Sequence, residues 1–176
     1  MKALNSLALL LLLSVTSTVN ASVVQYSLTS LGGNNYQYDY TVSNDGSLGV
    51  DIKWFALHFD PALYDETSLT IVTPEPLNSE WDQLILGSGL LIPAAYDVFA
   101  VSNGITQGTS QTGFAVLFTW LGAGLPGSQT FEIYDPVSND LIDSGTTVVP
   151  VPGAFMLFLS ALFGMGFFNV KRRIVS

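Results

Sequence analysis

The sequence predicts an all-β fold, an antiparallel β-sandwich of immunoglobulin-like or jelly-roll-like type. Three observations carry this. Apolar and polar residues alternate with period two, as at Tyr36, Tyr38, Tyr40 and Val42 against Gln37, Asp39 and Thr41. Gly, Pro and Asn punctuate the chain at short intervals, which favours short strands joined by turns. Between two apolar ends lie residues 22–147, enough for one core but not for two.

The elements follow in order. Val24, Tyr26 and Leu28 alternate with Gln25, Ser27 and Thr29, and Gly32-Gly33-Asn34-Asn35 turns the chain into the Tyr36–Val42 strand, so the two form a hairpin. Asn44-Asp45-Gly46-Ser47 is the next turn. Val50 to Phe59 reads as the strongest central strand. One face carries Ile52, Trp54, Ala56 and His58, the other Asp51, Lys53, Phe55, Leu57 and Phe59. Asp60-Pro61 ends it, and Leu63 to Glu66 reads as a loop or one helical turn. Ser68 to Thr73 is a short strand closed by Pro74-Glu75-Pro76, a rigid loop. Trp81 to Leu86 and Tyr96 to Val101 read as extended. Gly113 to Leu121 is an apolar run whose β-branched and aromatic members favour a buried strand. Gln129 to Tyr134 alternates, with Phe131 and Ile133 inward, and a last strand lies near Leu141-Ile142. Ser144 to Val149 is the one linker-like segment, and no internal repeat is visible.

The two ends have a different character. Lys2, the Leu7–Leu13 run and Val19-Asn20-Ala21 have the layout of a secretory signal peptide over residues 1–21, cut by signal peptidase after Ala21. The alternative is an uncleaved anchor, for which the apolar core is short and Ser14, Thr16, Ser17 and Thr18 dilute its far end. Residues 148–176 open with Val149, Pro150, Val151, Pro152 and Gly153. An uncharged run from Gly153 to Val170 follows, then Lys171, Arg172 and Arg173. At about 1.5 Å per residue the run is about 27 Å long as a helix, close to the thickness of a bilayer's hydrocarbon core. This predicts a C-terminal transmembrane helix in the inner membrane with a cytoplasmic basic stop, which leaves the domain outside the cytoplasm. Ser160 and Gly164, small and four apart, suit close helix packing or mere tolerance of small residues in the span.

Composition excludes some functions. All 14 acidic residues lie in residues 22–147, where Lys53 is the one basic residue. Such a surface repels nucleic acid and anionic lipid. With no cysteine, an exported domain must hold itself by packing and a hydrogen-bonded sheet, or with a metal. His58 is the only histidine, so a zinc site has no partners for it. No Gly-x-Ser-x-Gly elbow supports a nucleophilic serine. Three carboxylate pairs are near in sequence, Asp65 with Glu66, Glu80 with Asp82 and Asp140 with Asp143, as glycoside hydrolysis would require. So acidic a domain produces such pairs by chance. No cofactor is expected; calcium would be a better use of such residues, at Asp60, Asp65 and Glu66 or at Asn139, Asp140 and Asp143, although no EF-hand spacing appears. Of the three tryptophans, Trp54 and Trp120 sit in apolar strands and read as core. Trp81, between Glu80 and Asp82, is the candidate ligand contact for an extracellular polysaccharide, even with partial burial.

The tail resembles the PEP-CTERM sorting signal of exported proteins of Gram-negative bacteria, which joins a Pro-x-Pro motif, one apolar helix and a basic cluster. Pro150-Val151-Pro152, Gly153 to Val170 and Lys171-Arg172-Arg173 fill those parts. Val151 stands where the namesake motif has Glu, which resembles a Val-Pro-x-Pro variant in which Leu-Phe, Ser and spaced glycines follow, as Leu157-Phe158, Ser160, Gly164 and Gly166 do. The resemblance implies an exosortase-type transpeptidase that cuts near Pro150 to Gly153, release to the cell surface or matrix, and a link to exopolysaccharide or biofilm. The expectation is therefore a non-enzymatic exported surface protein. The alternatives are a carbohydrate-binding module and a secreted glycan-active enzyme.

Overall fold

The computed structural model describes residues 22–89 and 92–150. The predicted leader, the membrane helix and the basic stop fall outside the described residues, as do Val151, Pro152 and Gly153 of the sorting motif. Among the described residues no helix is long and apolar enough to cross a membrane.

Val23–Gly32 (β1) and Asn35–Asn44 (β2) make the predicted hairpin. Its turn places Gly32 at φ 102° and Gly33 at φ 58°, conformations a Cβ would strain. Seven strands and one helical turn follow: Trp54–Phe59 (β3), Tyr64–Ile71 (β4), Leu77–Glu80 (α1), Trp81–Leu86 (β5), Ala94–Ala100 (β6), Thr109–Trp120 (β7), Thr130–Tyr134 (β8) and Leu141–Thr146 (β9). They form two antiparallel sheets, in the orders β1-β2-β7-β4 and β5-β6-β3-β8-β9. The pairings β2 with β7 and β3 with β6 are nested, as in a jelly roll.

The core lies between the sheets and is largely aromatic. Tyr38 stacks on Phe118 with centroids 4.6 Å apart, and Phe55 and Trp81 meet Phe114 edge-on at 5.1 and 5.2 Å. Buried tyrosine hydroxyls need partners. Tyr38 donates to the Gly127 carbonyl at 2.6 Å, Tyr40 donates to Gln129 Oε1 at 3.2 Å, and Gln129 Nε2 donates to the Tyr64 hydroxyl at 3.0 Å. Burial pushes the Tyr38 and Tyr40 hydroxyls well above the usual phenol range and raises that of Tyr64 against its bonds to Tyr38 and Gln129, so all three are neutral in the physiological range.

Three expectations are corrected. Val50 to Phe59 is not one strand, since Ile52 makes an isolated bridge to Ile105 and regular pairing starts at Trp54. Ile52 and Phe55 are both fully buried, a three-residue interval that one flat strand cannot present to one side. Leu63 to Glu66 is not a loop or a helical turn beyond its first residue. Tyr64 opens β4 opposite Trp120, and an irregularity between Asp65 and Thr70 breaks the alternation that would have shown it. Ser144 to Val149 is not a linker. Ser144 pairs with Glu132, and Gly145 lets the buried Phe131 ring approach where a Cβ would stand 2.9 Å from it. Thr147 N–H donates to the Gln129 carbonyl, and Val148 bridges to Gln25 of β1.

Candidate functional surface

The outer faces of the two sheets are chemically unlike. On the four-stranded sheet the outward positions carry Asn35, Gln37, Asp39, Thr41 and Ser43 of β2, with Ser110 and Thr119 of β7 opposite. These groups bond one another: Gln37 to Asp39 at 2.7 Å, Ser110 to Ser43 at 2.8 Å, and Thr119 to Asn35 at 2.9 Å. Leu117 and Ala115 of β7 stand opposite Gln37 and Asp39, and Val23 of β1 is 36% exposed opposite Ser43, so the face is mainly polar with a few apolar members.

The five-stranded sheet differs. Phe55, Leu57 and Phe59 of β3 point into the core, so Trp54, Ala56 and His58 point out. Pairing sets Phe99, Asp97 and Ala95 of β6 beside them on one flank, and Glu132 of β8 beside Ala56 on the other. Leu84 and Leu86 of β5 and Leu141 of β9 extend the face at its edges, about half exposed each at 51%, 48% and 53%. The face thus has an aromatic centre, aliphatic margins and three carboxylates, those of Asp82, Asp97 and Glu132.

Its polar groups are organised around Trp54. The indole N–H donates to Asp97 Oδ1 at 2.7 Å. The ring lies 4.7 Å from Tyr134 and 6.2 Å from Phe99, centroid to centroid. Glu132 Oε2 accepts from the Tyr134 hydroxyl and meets His58 Nε2 at 2.8 Å. These two contacts, Tyr134 first, hold the Glu132 carboxyl below its usual range against a partial loss of water. Burial raises Asp97, reinforced by the Asp82 charge and opposed by the Trp54 bond. Tyr134 is pushed up to about 12, by burial and then by the Glu132 carboxylate. Asp97 and Glu132 therefore stand on either side of the small Ala56, at about 10 Å between their backbones from the strand spacing.

Beside this face, where β3 ends and β8 begins, lies a cleft of about 790 Å³ lined by His58, Asp60, Tyr64, Pro93, Trp120 and Gln129 among others. Its aromatic walls offer little surface, because Tyr64 is 4% and Trp120 7% exposed.

The structure rearranges the candidates named from sequence. Trp81 is 4% exposed and packs on Phe114, so it belongs to the core and is not a ligand contact. Trp54, expected in the core, is the tryptophan on the surface, because the inward positions of β3 are Phe55, Leu57 and Phe59. Trp120 is core as expected. Members of the sequence-adjacent acid pairs accept bonds from backbone and hydroxyl donors, local ones for Asp65 and long-range ones for Glu66 and Asp143. Asp65 Oδ1 accepts from Thr67, Glu66 Oε2 from the Ser88 N–H, and Asp143 from the Ser22 and Ser144 N–H groups. Asp60 Oδ1 accepts from the Ala62 N–H. Among the described residues no three His, Cys, Asp or Glu side chains come together as a metal site. The pair that does share a face, Asp97 and Glu132, lies 35 residues apart and was missed. Only a correct strand order brings them to either side of β3. Both stand on an open sheet face and not across a cleft.

Neither a protein-family model nor a curated protein sequence matches the chain. Among solved structures it is similar to a chain of the complex of a CaDoc0917 variant with CaCohA2, at 12% identity and a TM-score of 0.34, covering 73% of this chain and 100% of that one. It is also similar to a chain of the Coh-OlpA–Doc918 type I cohesin–dockerin complex of Clostridium thermocellum, at 8% identity and 0.34, covering 73% and 99%. A third is CaCohA2 of Clostridium acetobutylicum in solution, at 13% and 0.32, covering 75% and 94%. Likenesses at these TM-scores carry no argument about what this chain does.

Proposed function

We propose that this chain is a non-catalytic binding module, exported and displayed at the cell surface or in the extracellular matrix, that takes a protein partner on the outer face of its five-stranded sheet. The observation that carries this is the contrast between the two faces. One is mainly polar, with side chains that bond across strands, such as Ser110 to Ser43 and Thr119 to Asn35. The other leaves Phe99, Leu84, Leu86 and Leu141 exposed around Trp54. Clustered exposed aromatic and aliphatic side chains with a rim of charge are the anatomy of a protein interface. A glycan platform needs aromatic faces open to the sugar, whereas Trp54 and Tyr134 cover part of one another. The face carries carboxylates and neither lysine nor arginine, so a partner with basic side chains fits it.

Export and sorting rest on the two ends of the sequence. In this reading signal peptidase cuts after Ala21. An exosortase-type transpeptidase reads Val149 to Gly153 while the apolar helix and Lys171, Arg172 and Arg173 hold the chain in the membrane, and the released domain joins an exopolysaccharide or biofilm matrix. Two measurements test the proposal. A photo-crosslinking side chain at Leu84 in the full chain should capture a protein in the host, and one at Gln37 on the opposite face should not. Equal capture from both positions refutes the assignment of the face. A saturable change in tryptophan fluorescence with host polysaccharide, lost in Trp54→Ala, would instead install the carbohydrate-binding alternative. Mass spectrometry of the mature protein decides the sorting, and Lys171 to Ser176 retained on every molecule would refute it.

A further inference from the structure

A two-layer sandwich leaves four edge strands, here β1 and β4 of one sheet and β5 and β9 of the other. An edge offers a row of unpaired backbone groups, and folded chains blunt it with breaks, side-chain bonds or covering segments. Three of the four edges carry such devices. β1 has Val148 bonded across its first half, at Val24 and Tyr26, and a register shift between Ser30 and Gly32. β4 is broken between Asp65 and Thr70, and its Thr67 N–H goes to Asp65 Oδ1. β9 shifts register beside Tyr134, and its Ser144 N–H goes to Asp143 Oδ1. β5 differs, because it pairs with β6 from Trp81 to Leu86 without a shift.

The pairing fixes which groups of β5 are free. In an antiparallel strand the N–H and C=O of one residue point the same way, and successive residues alternate. Ala100 N–H donates to the Lys53 carbonyl at 2.8 Å, so Ala100, Val98 and Tyr96 of β6 face β3, and Phe99, Asp97 and Ala95 face β5. Val101 N–H donates to the Glu80 carbonyl at 3.1 Å in the same register, so Asp82, Leu84 and Leu86 are the residues of β5 that bond to β6. The N–H and C=O groups of Gln83 and Ile85 therefore point off the sheet, and among the described residues none bonds to them. Trp81 closes this row at one end, since its N–H donates to the Leu77 carbonyl of α1. On the outer face the bare edge carries Asp82 and the half-exposed Leu84 and Leu86.

We propose that β5 pairs antiparallel with β5 of a second copy of this chain, about a two-fold axis at Leu84. The strand is complementary to itself in that register. Gln83 of each copy faces Ile85 of the other, so the outward N–H and C=O groups of both residues close into hydrogen-bonded pairs. On the outer row Leu84 meets Leu84 and Asp82 meets Leu86. This covers the half-exposed leucines and keeps the two Asp82 charges off one another, whereas a register with Asp82 opposite Asp82 would set like charges face to face. The axis stands perpendicular to the sheet, so two five-stranded sheets join into one and both Trp54 clusters look the same way. The contact goes beyond the partner reading and does not rest on it, since the chain alone makes it. Its consequence for that reading is two copies of the proposed face, side by side.

The test uses the purified full chain in detergent. The sequence has no cysteine, so single cysteine variants report the contact without background. Facing residues of a non-hydrogen-bonded pair have Cα atoms about 4.5 Å apart, within the span a disulfide accepts. Leu84→Cys should therefore oxidise to a disulfide dimer at least about tenfold faster than Leu141→Cys, a comparably exposed position on the far edge, because the paired strands hold the two thiols together. Equal rates overturn the proposal. In a mixture, Asp82→Cys should join Leu86→Cys in preference to itself, and faster self-pairing of Asp82→Cys refutes the register. Leu84→Lys sets two charges across the axis and should weaken the dimer at least about tenfold by analytical ultracentrifugation, with the circular dichroism of the folded domain retained. A dimer unchanged by Leu84→Lys lies elsewhere, as in the predicted membrane helix, and sinks the β5 contact. So does a natural chain that stays monomeric at every concentration. In the host, a photo-crosslink from Leu84 that reaches another protein and never a second copy overturns the dimer and leaves the partner reading standing.

Discussion

Replacing each of two tryptophans by alanine separates surface from core. Trp81 is 4% exposed and wedged against Phe114 and Phe55 at 5.2 and 6.0 Å. A buried Trp→Ala change removes the transfer energy of the ring and leaves a cavity, at about 3–5 kcal/mol. For a domain of this size about 4 °C of Tm accompanies each kcal/mol, so Trp81→Ala should melt about 12–20 °C lower. Trp54 is half-buried on an open face. Its truncation loses one ring contact with Tyr134, about 0.5–1.5 kcal/mol, and one hydrogen bond to Asp97 of about 1 kcal/mol, so the fall should be about 6–10 °C. Thermal and urea unfolding by circular dichroism measure both. Acrylamide quenching adds a second axis, since Trp54 should be the accessible fluorophore and its removal should leave the remaining emission poorly quenched. At the proposed interface the order reverses, and Trp54→Ala should lower partner crosslinking about tenfold or more at a temperature where the domain stays folded. If Trp54→Ala destabilises as much as Trp81→Ala and quenching is unchanged, Trp54 is a core residue and the proposed binding face does not exist.

Three further outcomes follow from the same geometry. Gln129→Leu strands the buried Tyr40 hydroxyl and should cost about 1–3 kcal/mol, part of which returns when Tyr40→Phe is added, as a double-mutant cycle by urea unfolding would show. Glu132 and Asp97 should pull acid stability in opposite directions. The folded-state value of Glu132 is lowered, so its contribution is present above the unfolded carboxyl range and is lost as pH falls through the folded value; Glu132→Gln should flatten that acid limb. Asp97 is raised, so its charge opposes folding at neutral pH and the penalty fades as pH falls through its folded value; Asp97→Asn should leave neutral stability unchanged or higher. Gly145→Ala must displace the Phe131 ring from its packed position, which should lower stability by about 1–3 kcal/mol in the same unfolding assay.

How much was legible depended on how far each feature reaches along the chain. Period two in Tyr36 to Val42 and in Gln129 to Tyr134 fixed the inward residues of β2 and β8 before any pairing was known, because alternation is local. β4 was half hidden, since its irregular register between Asp65 and Thr70 destroys the alternation that marks a strand. Ser144-Gly145-Thr146 has the composition of a linker, yet its small residues are what the bulky Phe131 requires of its neighbour. The candidate face was not legible. Asp97, Ala56 and Glu132 become neighbours only through the order β6-β3-β8, which no local pattern encodes. The exchange of roles between Trp54 and Trp81 has a similar cause. Charged flanks made Trp81 look exposed, but in a strand the next residue points the other way, so Asp82 said nothing about the face Trp81 occupies, and Glu80 belongs to the preceding helical turn.

The ends of the domain bear on how it is displayed. Ser22 N–H lies 3.2 Å from Asp143 of β9, and Val148 is bonded to both sides of Gln25 in β1. The first residue after the predicted leader is therefore held to an edge strand of one sheet and Val148 to an edge strand of the other. Between Val148 and Ala154 the chain has five residues, which span at most about 18 Å when extended. Under the proposed sorting reading, such a tether leaves the folded body little room above a bilayer while the tail is intact. The outer faces of the two sheets are free to differ because neither is needed to hold these ends of the domain.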